Sequence, residues 1–249
     1  MPANCQQPVT QLAQIPWGHN LVILSKITDP EEALFYVYKT IENNWSRAVL
    51  THQIEGQLYR REGKAINNFE AKLPKAQSDL ARQIIKDPYN FDFLTMREKY
   101  DERELEDALT SSITKFLLEL GQGFAYVGRQ VPVTVGMQDF FIDLLFYHLE
   151  LRCYIVIELK AGKFEAEHTG KLGFYISAIN HQRKKDTDNP TIGLLICKTR
   201  NNIVAEYSLE STNQPIGISE YQLSRLLPDK FKSSLPSIED IEAELEGKV

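Results

Sequence analysis

Two short apolar stretches, FFIDLLFY (residues 140–147) and CYIVIELK (residues 153–160), decide the fold of this chain. Both are rich in aromatic and β-branched residues and are too short for buried helices, so they are predicted to be buried strands. The segment 148–152 between them is long enough for a hairpin connection. Each stretch contains one carboxylate, Asp143 in the first and Glu158 in the second. The sequence therefore predicts an antiparallel strand pair with acids inside an apolar sheet.

The two acids are predicted to lie nearly opposite each other, because they stand at similar distances from the turn. An unpaired buried carboxylate costs several kcal/mol unless its pKa shifts and it becomes neutral. Each acid therefore needs a partner, and a metal ion would serve both. Lys160 shares a face with Glu158, since residues two apart on a strand point the same way. The alternative is a surface ion pair between Glu158 and Lys160 at a strand end, with Asp143 capping a turn.

Asp143 followed by Glu158-Leu159-Lys160 resembles the D…ExK signature of the PD-(D/E)XK nucleases. The surrounding sequence resembles the YhcG-like branch of that superfamily, in the stretches GQGFAYVGRQ (121–130), DFFIDLLFYH (139–148), IELKAGKF (157–164) and DNPTIGL (188–194). Upstream, PWGHN (16–20) and DPYNFDF (87–93) resemble the N-terminal module of the same branch. The resemblance covers nearly the whole chain.

The resemblance implies an α/β fold, with a restriction-endonuclease-like core of mixed sheet flanked by helices and an N-terminal helical module. We expect three parts: a helical module over residues 1–95, shortened relative to the family; a nuclease-like domain over 96–236; and an acidic tail over 237–249. The module is expected to bind nucleic acid or a partner.

Local signals predict the helices and strands in more detail. Asp29-Pro30 is typical of a helix start, and Asp101 with Glu104 resembles a capping box. The predicted helices are 45–62, 101–120, 165–180 and 219–227, and the predicted strands are 129–135, 139–147, 152–160, 191–197, 204–207 and 216–218.

The resemblance also assigns roles at the site. It implies a Mg²⁺ ion, or Mn²⁺, held by Asp143, Glu158 and the carbonyl of Leu159. Lys160 would orient the attacking water or stabilise charge on the phosphorus oxygens. Glu106 matches the helical glutamate of the family and would act through water or on a second ion. Glu102 and Glu104 are its substitutes.

Substrate contacts are expected from the helix that follows the hairpin. Lys171 and Tyr175 lie four residues apart, on one helix face, within the family-like stretch GKLGFY (170–175). Gln182 and Arg183 follow and could contact backbone phosphates. The alternative for the basic run 183–185 is a solvated loop.

The composition excludes several classes of protein. With 43% hydrophobic and 25% charged residues among 249, the chain is typical of a globular protein. No apolar run approaches the roughly 20 residues of a membrane span, and no secretion signal is visible, so we expect a cytoplasmic protein without membrane contact. The spacing of the histidines and of Cys5, Cys153 and Cys197 argues against a zinc site or a disulfide framework.

Taken together, the sequence predicts a Mg²⁺-dependent deoxyribonuclease, with RNA as substrate and a homodimer or larger complex left open. The formal net charge of −6 predicts weak or metal-dependent affinity for nucleic acid. Two alternatives belong to other classes. One is an inactive nuclease fold that binds nucleic acid or serves assembly, and the other is an interaction protein whose acidic tail docks on a basic partner.

Overall fold

A mixed β-sheet forms the centre of the molecule in the computed structural model, which describes residues 12–223 and the backbone of residues 226–227. The helices are α1 Trp17–Lys26, α2 Pro30–Asn43, α3 Arg47–Glu55, α4 Leu58–Arg61, α5 Phe69–Lys72, α6 Lys75–Ile84, α7 Glu102–Ser111, α8 Ile113–Leu120, α9 Glu167–Gln182 and α10 Asn202–Ser211. The strands are β1 Ile66–Asn67, β2 Tyr89–Asn90, β3 Met96–Arg97, β4 Phe124–Val135, β5 Gln138–His148, β6 Cys153–Lys163, β7 Ile192–Thr199, β8 Ile216–Gln222 and β9 Leu226–Leu227.

The strand order is β1-β8-β7-β6-β5-β4, with β2 also paired to β8. Strands β4, β5 and β6 form the predicted antiparallel meander. Strand β7 then runs parallel to β6, and β8 runs parallel to β7. Helix α9 makes the crossover between β6 and β7, as a parallel connection requires. The prediction of a mixed sheet flanked by helices is confirmed.

Both faces of the sheet are covered, which explains the unbroken apolar runs of the central strands. On one face, Leu105 of α7 and Phe116 of α8 share a core with Phe146 and Ile157. On the other face, Ile176 of α9 and residues of α10 pack with Leu145 and Val156. Successive residues of β5 and β6 thus point into different cores, as the alternation of side chains along a strand predicts.

Two predicted helices are interrupted in the structure. The helix expected over 45–62 is wrong as one element, because Gln57 takes a left-handed conformation (φ 52°) between α3 and α4. The helix expected over 101–120 has the predicted capping box at Asp101 and ends at Gly121, but it divides into α7 and α8 at Ser112.

Two predictions near the C-terminal end of the sheet are wrong. Residues 204–207 lie in helix α10 and not in a strand, because the side chain of Asn201 caps the helix by accepting from the backbone N–H groups of Ile203 and Val204. Residues 219–222, expected to begin a helix, continue strand β8. Leu226–Leu227 pair in parallel with β3. The acidic tail 237–249 lies outside the described residues.

The N-terminal helices α1–α4 enclose a core of their own, in which Ile23, Tyr36 and Leu50 are buried. Residues between this module and α7 pack differently. Phe69, Phe91 and other side chains of this segment belong to the same core as the sheet residues. The domain boundary near residue 95 stays a prediction.

Among the described residues, no helix is both long and apolar enough to cross a membrane. Cys153 and Cys197 are free and buried, and burial raises the pKa of each thiol to about 12. Both therefore behave as core side chains with little thiolate. Cys5 lies outside the described residues.

Candidate active site

The candidate site lies where strands β5 and β6 separate. Their pairing runs from His148–Cys153 to Leu144–Ile157 and stops there. One residue further along the same register would place Asp143 opposite Glu158. Instead of a strand pair, the structure has a side-chain contact at this point, because the backbone N–H of Leu159 donates to Asp143 Oδ2 at 2.9 Å. The two acids thus lie at the mouth of a fork in the sheet.

Glu158 is fully buried and incompletely satisfied. Its Oε1 accepts hydrogen bonds from Lys160 Nζ at 2.9 Å and from Lys171 Nζ at 2.5 Å. Its Oε2 is buried and has no hydrogen-bond partner among the residues that the structure describes. A buried carboxylate oxygen without a partner loses its hydration and gains nothing in exchange. A cation bound beside this oxygen would therefore stabilise it.

Asp143 is held at a pKa of about 6, above its ordinary value of 3.8. Burial is the first cause, and repulsion from the Glu158 carboxylate is the second. The Leu159 N–H and the ammonium groups of Lys171 and Lys160 act in the opposite direction. The ammonium groups of Lys160 and Lys171 balance the two carboxylates in formal charge, but the raised pKa means that the ionised form of Asp143 is disfavoured here, and a cation beside it would stabilise that form.

The backbone of Leu159 adds a further oxygen on this side. In an extended strand the N–H and C=O of one residue point to the same edge. Since the N–H of Leu159 points to Asp143, its carbonyl points towards the β5 side of the fork as well. The structure thus brings together Asp143, Glu158, Leu159 and Lys160, as the sequence predicted. The expectation of an ordinary surface ion pair does not fit a Glu158 side chain that is 0% exposed.

Glu106 approaches from α7, over the neighbouring strand. Its Oε2 accepts from Gln130 Nε2 at 2.5 Å, and its Oε1 lies 3.6 Å from Arg129 Nε. Gln130 stands opposite Asp143 in the register of β4 and β5, between the pairs Arg129–Leu144 and Val131–Ile142. Burial raises the pKa of Glu106, and the Gln130 hydrogen bond partly offsets the rise.

The three predicted carboxylates do not form one tight cluster. In the described part of the chain, the set of three acids or histidines whose ligand atoms all lie within 4.8 Å is Glu165, Glu167 and His168. That set is largely exposed, and His168 Nδ1 already accepts from the backbone N–H of Glu165. The role of Glu106 as a ligand through water, or of a second ion, stays a prediction.

The two substitutes for Glu106 are engaged elsewhere. Glu102 Oε1 accepts from the backbone N–H of Ala161, next to Lys160, at 3.2 Å. Glu104 closes the capping box of α7 and pairs with Arg97. Glu102 therefore stabilises the C-terminal part of β6, and Glu104 stabilises the first turn of α7.

Helix α9 places Lys171 and Tyr175 at the site. The Lys171 ammonium lies 5.4 Å from the centre of the Tyr175 ring, which is buried beneath it. Although burial acts to lower the pKa of Lys171, the hydrogen bond and charge of Glu158 raise it overall. Gln182 and Arg183 lie at the opposite end of α9, about 16 Å from Lys171 at 1.5 Å per residue. Gln182 Nε2 donates there to the carbonyl of Thr134.

Gln130 is the site residue that sequence reasoning missed. It takes a left-handed conformation (φ 44°) just after an irregularity in the pairing of β4 with β5. A glutamine gives no sequence signal for this backbone region, which glycine or asparagine usually occupies. The Gln130 amide donates to Oε2 of Glu106, while Oε1 of Glu106 has no hydrogen-bond partner in the described part of the chain.

A mixed sheet with two acids and a lysine at a fork between antiparallel strands is the arrangement of a PD-(D/E)XK-type nuclease domain. The family model of the YhcG PDDEXK nuclease domain matches residues 82–236, well over half of the chain, and that of the DUF1016 N-terminal domain matches residues 2–61. The chain therefore belongs to the YhcG PDDEXK nuclease domain family.

The chain is also similar to individual proteins, at lower levels of identity. The chain is 32% identical over 212 residues to "Putative nuclease YhcG" of Escherichia coli (strain K12), covering 84% of this chain and 56% of that protein. The chain thus spans little more than half the length of this curated relative. Among solved structures, a repair endonuclease from Pyrococcus abyssi shows 18% identity and a TM-score of 0.35 over 52% of this chain and 50% of that one. An EndoMS–dsDNA complex shows 14% identity and a TM-score of 0.34 over 51% of this chain and 45% of that one.

Proposed function

We propose that this protein is a metal-dependent nuclease that hydrolyses phosphodiester bonds of DNA in the cytoplasm. The single observation that carries the proposal is the fork between β5 and β6, where a buried Glu158 oxygen has no partner and Asp143 has a raised pKa. Both features are those of a carboxylate pair that a cation would stabilise. Membership of a nuclease domain family supports the same chemistry.

The residues present fit Mg²⁺ or Mn²⁺. Asp143, Glu158 Oε2 and the Leu159 carbonyl offer oxygen ligands, which these hard cations prefer, and the rest of the coordination shell is left to water and substrate. When bound, such an ion activates water and neutralises charge on the phosphate. Glu106 would contribute through a water molecule or to a second ion.

Lys160 and Lys171 would have different roles in the reaction. One donor of the Lys160 ammonium is used by Glu158, so two remain for an attacking water and a phosphate oxygen. Lys171, whose pKa is raised, stays protonated at neutral pH and is placed to stabilise negative charge on the substrate. Tyr175 supports the Lys171 ammonium through its ring. Gln182 and Arg183 would contact backbone phosphates at a distance from the scissile bond.

The test is a cleavage assay on plasmid, linear and branched DNA, with RNA in parallel, in Mg²⁺, Mn²⁺ or EDTA. We expect DNA cleavage that needs the metal and is lost in Asp143→Ala and Lys160→Ala. Glu70→Ala serves as the control, because the Glu70 side chain is 85% exposed and pairs only with Arg82 on the surface. Cleavage that survives in both site variants would come from a contaminant and would contradict the proposal.

A calorimetric titration tests the metal site without cleavage. We expect saturable Mn²⁺ or Mg²⁺ binding that Glu158→Ala abolishes and Glu70→Ala leaves unchanged. DNA binding with neither metal binding nor cleavage would instead indicate an inactive nuclease fold that serves as a nucleic-acid-binding module.

A further inference from the structure

The hairpin of β4 and β5 continues past the fork in the sheet, and one of its faces is packed against α9. Val131, Val133 and Ile142 on this face are buried in the core that α9 covers. Phe140 on the same face packs on Phe174 of α9, with the ring centroids 4.7 Å apart. These contacts hold the hairpin in place beyond the point where β5 leaves β6.

The opposite face of the hairpin is exposed. Pro132 stands opposite Phe141 in the register of β4 and β5, and Thr134 stands opposite Asp139. Because side chains alternate along a strand, these four residues share the face that points away from α9. All four are exposed, and the Phe141 side chain is 49% exposed. We call Pro132, Thr134, Asp139 and Phe141 the hairpin shelf.

The hairpin shelf lies beside the candidate active site. Phe141 comes two residues before Asp143, which is about 7 Å along the strand. On the partner strand, Gln130 comes two residues before Pro132 and donates to Glu106. Successive nucleotides of a stacked strand are about 3.4 Å apart along its axis. A base lying on the shelf would therefore be about two nucleotides or less from a phosphate held at the fork.

The chemistry of the hairpin shelf suits a nucleobase better than a phosphate. The exposed ring of Phe141 offers an apolar π face on which any base can stack. The charged member of the shelf is Asp139, whose carboxylate accepts from the Thr134 hydroxyl at 2.7 Å and would repel a phosphate. Arg129, the cationic residue of β4, pairs with Asp107 of α7. The shelf thus favours contact with the neutral part of a nucleic acid.

We propose that Phe141 stacks on an unpaired base next to the scissile phosphate, so that the preferred substrate is DNA that is single-stranded or splayed at the point of cleavage. This inference rests on the proposed nuclease function. In a duplex, neighbouring bases cover both faces of each base, and exposing one face requires unstacking. An unpaired base can lie on Phe141 without that cost. The rigid backbone of the hairpin would keep the ring in position for it.

The first test measures binding in EDTA at low ionic strength, so that it is independent of metal and of cleavage. The probes are fluorescein-labelled oligothymidylate and a strand of the same length made of abasic sites, followed by fluorescence anisotropy. We expect wild type to bind oligothymidylate at least about tenfold more tightly, the scale of one stacked base. This ratio should fall severalfold in Phe141→Ala and be kept in Phe141→Trp.

The control for this test is Tyr207→Ala, which removes a 68% exposed aromatic side chain of α10, outside the hairpin shelf. We expect it to keep the wild-type ratio. Because Phe141 is half exposed, the urea midpoint of Phe141→Ala should stay close to that of wild type. Equal affinity of wild type for the two strands, or an unchanged ratio in Phe141→Ala, would overturn the proposal.

The second test measures Mg²⁺-dependent cleavage of one sequence as a single strand, as a duplex and as a duplex with a single-stranded flap. We expect Phe141→Ala to slow cleavage of the single strand and the flap at least about tenfold more than cleavage of the duplex. Mn²⁺ affinity should be unchanged, because a phenyl ring offers no ligand. An equal loss on all three substrates, or a wild-type preference for the duplex, would overturn the proposal. If wild type cleaves none of them, the nuclease function itself is wrong, and the binding ratio of the first test still decides whether Phe141 stacks on bases.

Discussion

Two of the buried glutamates, Glu119 and Glu158, pair with cationic side chains in opposite ways. Glu119, near the end of α8, is 2% exposed, and Glu158, in β6, is 0% exposed. Glu119 Oε1 accepts from Arg61 Nη1 at 2.5 Å and from the backbone N–H of Asn90 at 2.8 Å, and Oε2 lies 3.5 Å from Arg61 Nη2. Glu158 has both of its lysine partners on one oxygen and none on the other.

The difference separates a structural ion pair from a binding site. Arg61 also donates to the carbonyls of Gly56 and Pro88, so the Glu119 pair joins the N-terminal module to α8 and to the segment before β2. Both carboxylate oxygens of Glu119 therefore lie within hydrogen-bonding distance of a donor. At the fork in the sheet, both lysines donate to Oε1 of Glu158, and Oε2 has no hydrogen-bond partner among the described residues. The neighbouring Asp143 carboxylate adds negative charge that a bound cation would offset.

The largest effect is expected for Glu158→Gln. The amide keeps the size of the side chain and can still accept from Lys160, but it is a poor ligand for a divalent ion. We expect cleavage to fall by at least ~10³-fold, the scale of losing a main electrostatic contribution at a reaction centre. Metal binding should be lost with it, while the urea midpoint of unfolding changes little, because Lys160 and Lys171 are 15% and 46% exposed and keep the Asp143 carboxylate beside them. Retained cleavage with retained metal affinity would remove Glu158 from the site.

The same substitution at the second glutamate, Glu119→Gln, should reverse the pattern. It leaves the Arg61 guanidinium buried and uncompensated, and breaking a buried pair in this way costs about 3–5 kcal/mol. We expect a loss of that size in the free energy of unfolding, measured in urea. Cleavage at a temperature where the variant is folded should remain within severalfold of wild type. A loss of activity without a loss of stability would contradict the division between the two glutamates.

Asp143→Asn tests the raised pKa of Asp143 through the pH dependence of stability. The folded-state pKa of Asp143, about 6, exceeds its ordinary 3.8, so the folded protein keeps a proton that the unfolded chain releases. Wild-type stability from this group is therefore complete below about pH 4 and is lost as the pH rises through about 6. In EDTA we expect the variant to be more stable than wild type by about 1–3 kcal/mol at pH 7, and equal to it at pH 4.

The urea denaturation series that measures this difference should be repeated in Mn²⁺. Under the proposed function Mn²⁺ binds the wild-type fork and not the variant, so the order of stability at pH 7 should then approach equality or invert. If the variant gained the same stability at pH 4 and pH 7, the pKa of Asp143 would not be raised in the folded protein.

The proximity of Asp143 and Glu158 was predictable because its signals are local, whereas the separation of the two strands there was not predicted. Two apolar runs fix the strands, the alternation of side chains fixes the faces, and the short connection fixes the register that brings Asp143 to Glu158. Lys171 could be placed because it stands one helix after the hairpin. The family resemblance then supplied the roles of these side chains.

The ion pair between Arg61 and Glu119 has no local signal in the sequence. Arg61 lies 58 residues before Glu119, and nothing in either local sequence indicates that the two meet. The left-handed backbone of Gln57 and Gln130 was equally invisible, because the fold imposes it on residues that do not favour it. Helix α10 was mistaken for a strand because residues 203–207 are rich in apolar and aromatic side chains, whereas the cap at Asn201 decides the outcome.

The smallest effect is expected for Lys86→Met, next to the Glu119 pair. Lys86 is buried, and burial lowers the pKa of its ammonium, while its Nζ donates to the backbone carbonyl of Glu119. The variant loses that hydrogen bond, worth about 1 kcal/mol, but it also removes a charge that is costly to bury. We therefore expect a net change within about 1 kcal/mol at pH 7 in urea unfolding. Because the folded-state pKa lies below that of the unfolded chain, wild-type stability rises with pH in this window, so the variant should compare worse with wild type at pH 10 than at pH 7. A loss at pH 7 as large as that of Glu119→Gln would make Lys86 an essential member of the structural ion pair and not a tolerated neighbour of it.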